Sequence, residues 1–130
     1  MIALDTNVLV RWILRDDPAQ SPKADEILAE PFFMSTSVLT ELGWALGSIA
    51  GMTRAEIARS VALLLRLPTA NIAHAAEVRW AVERFATRGD WEDLIHIATS
   101  VGADAFGSFE KKLVREVGAN APMTIADLNP

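Results

Sequence analysis

Short apolar runs alternate along this chain with stretches of helical periodicity, and that alternation restricts the possible folds more than any other feature. Ile2 to Leu4 and Phe32 to Met34 would be apolar on both faces, as a strand covered on two sides must be. Weaker strand candidates follow at Asn71 to Ala73 and Asp104 to Ser108, with a possible edge strand at Met123 to Ile125. Helices are expected over Val8 to Leu14, Ser21 to Ala29, Ser37 to about Ile49, Arg54 to Leu67, Ala75 to Thr87, Trp91 to Val101 and Glu110 to Val117. Thr53 with Glu56 three residues on has the form of a capping box, and Pro68 ends the helix it opens. Ser35, Thr36 and Ser37 are all competent to cap the helix before it, in which Val38, Leu42, Ala45, Leu46 and Ile49 have the spacing of a core-facing stripe. Short covered strands between helices predict an α/β layer around a mainly parallel sheet. With 130 residues, no internal repeat and no linker, the chain has the size of a single domain, residues 1–130.

In open α/β sheets ligands collect beyond the carboxyl ends of the strands, and that edge gives meaning to four acids. Asp5 closes the first strand, Glu41 borders the apolar stripe of its helix, Asp93 opens a helix that is apolar on nearly every face, and Glu110 follows Ser108 and Phe109. Each has a purely structural reading. Asp5, Thr6 and Asn7 are all good helix caps, Glu41 fits an ion pair or a solvent-facing position, and Asp90, Glu92, Asp93 and Glu110 complement helix dipoles. As an ordered set they have a second reading, because carboxylates brought together repel unless a proton or a cation joins them. An all-oxygen cluster suits Mg²⁺ or Mn²⁺, whereas zinc favours histidine or cysteine.

The composition narrows the classes further. Twelve basic against seventeen acidic residues give a net charge of -5, so the chain as a whole does not attract polyanions, and a nucleic acid would have to meet a local basic patch or a bound cation. The absence of cysteine excludes disulfides, thiolate metal sites and cysteine nucleophiles, and is compatible with a reducing compartment. Neither a signal peptide nor a transmembrane span is evident in the sequence, which makes a cytoplasmic location the default expectation.

Four segments carry a resemblance. Residues 1–11 (MIALDTNVLVR), 37–46 (SVLTELGWAL), 90–99 (DWEDLIHIAT) and 108–113 (SFEKKL) resemble, in order and spacing, the successive motifs of PIN-domain ribonucleases, and in particular VapC-type toxins of bacterial toxin–antitoxin pairs. The resemblance spans almost the whole chain and implies a PIN-like three-layer α/β/α sandwich with a short, mainly parallel central sheet. It implies Asp5, Glu41, Asp93 and Glu110 as catalytic, metal-binding acids, with Thr6 and Asn7 orienting Asp5 or a water and Asp90 in support. The family's fourth acid is usually an aspartate after Thr-Phe or Ser-Phe; here it is Glu110. The implied activity is Mg²⁺-dependent hydrolysis of RNA, with Mn²⁺ as a substitute, leaving a 5′-phosphate and a 3′-hydroxyl. The implied partners are an RNA substrate, a cognate VapB-type antitoxin and a second copy of the chain, with no membrane.

Other residues bear on the rival readings. His74 and His96 are the only histidines, and His96, flanked by Ile95 and Ile97, is expected in the core or behind the site, which argues against a histidine-based ribonuclease. Arg11, Arg15, Lys111, Lys112 and Arg115 lie near the motifs as candidate phosphate contacts, or as an ordinary solvated face. Trp12, Trp44, Trp80 and Trp91 are candidates for base stacking or for core, and Leu42, Trp44 and Leu46 for a groove that receives an antitoxin segment. Two alternatives stand beside the nuclease: a catalytically degenerate PIN module that binds RNA or protein, suggested by Glu110, and a phosphatase-type enzyme using Asp5 as nucleophile. The latter wants a second aspartate two residues on, where this chain has Asn7.

Overall fold

The computed structural model describes residues 1–130. In chain order the elements are β1 (Ile2–Ala3), α1 (Thr6–Leu14), α2 (Gln20–Leu28), β2 (Phe32–Phe33), α3 (Thr36–Ser48), α4 (Arg54–Leu65), β3 (Ala70–Asn71), α5 (Ala75–Phe85), α6 (Trp91–Thr99), β4 (Ala105–Ser108), α7 (Lys111–Val117) and β5 (Thr124–Asp127). The mixed α/β architecture with parallel strands agrees with the expected α/β/α fold. Its sheet comes in two parts. Strands β1, β2 and β3 pair in that order, all parallel, with Ile2 opposite Phe32 and Phe32 opposite Ala70, while β4 and β5 form a separate parallel pair running from Ala105–Thr124 to Ser108–Asp127.

Phe32, in the middle strand, is fully buried. Around it lies a core that draws on almost every element, with Leu9 of α1, Leu39, Leu42 and Leu46 of α3, Val61 and Leu64 of α4, Val78 of α5 and Leu94, Ile95 and Ile97 of α6 all essentially inaccessible. Helix α1 packs on α2 and α3, α3 on α6, and α4, α5 and α6 stack in succession. No helix is long and apolar enough to cross a membrane.

Several boundaries move by a residue or two, and α3 turns on its axis. Its buried face is Leu39, Leu42, Gly43 and Leu46, not the expected stripe from Val38 to Ile49: Val38 and Ala45 are half-buried and Ile49 is 75% exposed at the helix end. Ser35 is the residue that caps α3, its hydroxyl accepting from the Val38 amide at 3.2 Å. The Thr53 capping box is present in both directions, with the Glu56 amide donating to the Thr53 hydroxyl at 3.2 Å and the Thr53 amide to Glu56 Oε1 at 3.1 Å.

One contact sets the relation of α3 to α6. The Trp91 indole lies over Gly43, where a Cβ would collide with the ring, and its Nε1 donates to the Leu39 carbonyl at 3.1 Å. Phe85 meets Trp91 edge to face at 5.1 Å between centroids, and the Arg54 guanidinium lies 4.3 Å above the Phe85 ring. Arg54 also donates to the carbonyls of Phe85 and Gly89, tying α4 to the turn that precedes α6.

Candidate functional site

Asp5, at the end of β1, is the cap of α1: its Oδ1 accepts from the Thr6 amide at 2.8 Å. The carboxylate is exposed, so capping engages one oxygen and leaves the other facing outward. Thr6 holds Asp5 through its backbone. Its own hydroxyl is buried and makes no hydrogen bond.

Asp90 caps α6 in the same way, accepting from the Asp93 amide at 3.0 Å. This fixes the first turn and thereby the direction in which Asp93 leaves the helix. Partial burial pushes the Asp93 carboxyl above the usual aspartate range, and the nearby negative charges of Asp90, Glu110 and Glu116 push it the same way, while His96 opposes them. Glu110 stands at the N-cap position of α7 but makes no side-chain cap; its amide is held by the Ser108 hydroxyl at 3.0 Å. Asp90, Asp93 and Glu110 therefore share one electrostatic neighbourhood at the starts of α6 and α7.

Glu41 is exposed and belongs to a different wall. It lines a cleft of about 770 Å³ between α1, α3 and the start of α6, together with Thr6, Asn7, Thr40, Trp44 and Glu92. The Gly43–Trp91 contact holds α3 against the start of α6, and Glu92 of that first turn lines the same cleft as Glu41.

The donors are all oxygens and mostly exposed, which matches what a hard divalent cation requires. No three acidic or histidine side chains converge closely enough to hold an ion between them. The chemistry of the set fits such an ion, while the ligand shell itself is not closed.

Other expected contacts are reassigned. Arg11 is engaged by Asp16 at 2.8 Å and by Gln20 at 3.1 Å, and Arg15 by Asp25 at 2.7 Å, all on the surface. His96 is exposed, not in the core. Leu42 and Leu46 are fully buried, and of the proposed groove only Trp44 is accessible, at 56%. The sequence reading also missed Thr40 and Glu92 as cleft residues. Their signal lay in the helical wheel: Ser37, Thr40, Glu41 and Trp44 recur on the face of α3 opposite its buried leucines.

A scan against protein-family models matches residues 2–115 to the PIN domain. No curated protein and no solved structure matches the chain. The matched span takes in Asp5, Glu41, Asp93 and Glu110 and every helix start that presents them, and over that length the chain belongs to the PIN domain family, whose members are generally nucleases.

Proposed function

We propose that this chain is a metal-dependent endoribonuclease, acting as a single domain over residues 1–130, with Asp5, Glu41, Asp93 and Glu110 as its metal-binding and catalytic acids. The observation that carries the reading is the PIN-domain match over residues 2–115, which takes in all four acids; Asp93, whose carboxyl is disfavoured in its charged form by partial burial and by Asp90 and Glu110, agrees with it. Such a group gains most from a cation placed beside it. Mg²⁺, or Mn²⁺ in its place, would be held by Asp5 and Asp93 with Glu41 and Glu110, and supplies charge neutralisation at the scissile phosphate and a more acidic bound water. The chain's own part is to orient these groups. Thr6 and Asp90 fix Asp5 and Asp93 through backbone hydrogen bonds, and the Gly43–Trp91 contact sets the spacing between α3 and α6.

The order and spacing of the four motif segments support a finer reading, the toxin of a VapBC-type pair in the cytoplasm, active as a homodimer and restrained by a cognate VapB-type antitoxin. The test compares wild type with Asp5→Asn and Asp93→Asn for RNA cleavage with Mg²⁺, Mn²⁺ and chelator, and for growth arrest with and without the neighbouring antitoxin gene. Cleavage is expected to fall by at least ~100-fold in both variants and to vanish with chelator. Activity surviving both substitutions would sink the metal-site reading.

A second reading has one observation in its favour. Because no three carboxylates close on a common point and Glu110 stands where the family usually has aspartate, the chain could serve as a binding module without cleavage. Protein that binds RNA yet cleaves none with Mn²⁺ would establish it.

A further inference from the structure

Of the four tryptophans, Trp44 is the most exposed and lines the cleft that Glu41 shares. Trp91 is buried, Trp12 and Trp80 are packed against the core, and Trp44 is more than half exposed. Trp44 lies one turn along α3 from Thr40 and Glu41, and all three face the cleft whose other walls carry Thr6, Asn7 and Glu92.

We propose that this cleft is a nucleobase subsite, in which an unpaired base of the RNA stacks on Trp44 and donates its Watson–Crick edge to Glu92. The inference rests on the ribonuclease reading of the neighbouring acids. Two features point to a base rather than a phosphate. The arginine of the cleft, Arg11, is already paired with Asp16, so Glu41 and Glu92 leave the lining negative, and a phosphate would be repelled. An ionised carboxylate only accepts hydrogen bonds, and it therefore selects a base edge made of donors. Guanine offers two adjacent donors at N1 and N2, adenine and cytosine one amine each, whereas the single N3–H of uracil lies between two carbonyls that Glu92 would repel.

Thr6 is only 3% exposed, lines the cleft, and its Oγ1 has no hydrogen-bond partner in the protein. That hydroxyl is enclosed and out of a ligand's reach, so Thr6 closes the floor of the cleft and leaves the edge contact to Glu92. Single-stranded RNA is recognised in this way, with splayed bases stacked on aromatic rings and read along their edges.

The test uses the full chain with chelator present, so that binding is read without cleavage. Single-stranded RNA oligonucleotides that differ only in carrying G, A, C or U at one position in an otherwise uniform context are titrated against wild type, Trp44→Phe, Trp44→Ala and Glu92→Gln. Wild type is expected to rank guanine first and uracil last. Trp44→Ala should weaken all four by about 5- to 150-fold, the equivalent of ~1–3 kcal/mol for one stacked base, with Trp44→Phe recovering most of the loss. Glu92→Gln should compress the guanine-to-uracil ratio by about tenfold while overall affinity changes less, which a general loss of packing would not do. Equal binding and an equal base ranking in all variants, with cleavage still abolished by Asp5→Asn, would overturn the subsite and leave the nuclease intact. Wild type that neither binds nor cleaves RNA would remove both. If Trp44→Ala instead changes the oligomeric state by light scattering and leaves RNA affinity alone, Trp44 is a protein contact and the subsite is wrong.

Discussion

At Asp93 the surroundings oppose the charged form, and this sets stability against the metal-binding role proposed for it. Its carboxyl is raised by partial burial first and by Asp90, Glu110 and Glu116 after it. A raised folded value means that the native state holds the proton more tightly than the unfolded chain does. The resulting contribution is present below the ordinary aspartate range and is lost as the pH rises through the folded value. Asp93→Asn should therefore be more stable than wild type at neutral pH, by no more than ~1 kcal/mol after solvent screening. The gap should close in acid, as thermal melts of the two proteins at pH 3.5 and pH 7.5 would show. A melt difference that persists at low pH would mean that the asparagine acts through packing instead. A divalent cation should produce the same stabilisation in wild type and little in the variant.

Helices α3 and α6 matter to the site through a contact that carries none of its charges. Gly43 lets the Trp91 indole approach the α3 backbone and bond the Leu39 carbonyl. Gly43→Ala puts a methyl where the ring lies, and overpacking of this kind costs ~1–3 kcal/mol. Trp91→Phe removes the indole hydrogen bond and leaves a void, for a loss of similar size. Both should lower RNA cleavage beyond what the unfolded fraction explains, because both shift α6, which carries Asp93, against α3, which carries Glu41; single-turnover rates measured well below Tm check this. Thr53→Ala, at the start of α4, loses the capping box and should cost ~1 kcal/mol with no effect on the cleavage rate. The contrast between α3 and α4 would separate an element that positions the proposed site from one that supports the core.

Over the whole molecule, the segment that carries Glu110 belongs to the smaller part of the sheet. Strands β4 and β5 pair only with each other, and α7 buries just Leu113 and Val117. Its polar tether is Arg84 of α5, which donates through Nε to the Glu116 carbonyl at 2.6 Å and so satisfies the C-terminal end of α7. Arg84→Ala should therefore raise amide exchange across Lys111–Val117 by about tenfold while α1, α3 and α6 keep their protection, a pattern that local opening predicts and global destabilisation does not. Uniformly faster exchange would show instead that the two sheet parts unfold together. The sequence by itself determined the alternation of covered strands and helices, the capping box at Thr53, and the identity and order of the acids, because each is a local pattern of neighbouring residues in the chain. The rotation of α3 that buries Leu39 and Gly43 and turns Glu41 and Trp44 outward, the pairing of Arg11 and Arg15 with aspartates, the exposure of His96 and the division of the sheet were decided only in the tertiary structure. In each of these the deciding partner lies on another element or beyond the next turn. Helical periodicity shows that a helix has an apolar face, but the neighbour it packs against, here the indole of Trp91, selects which residues are buried and which are left to meet a substrate.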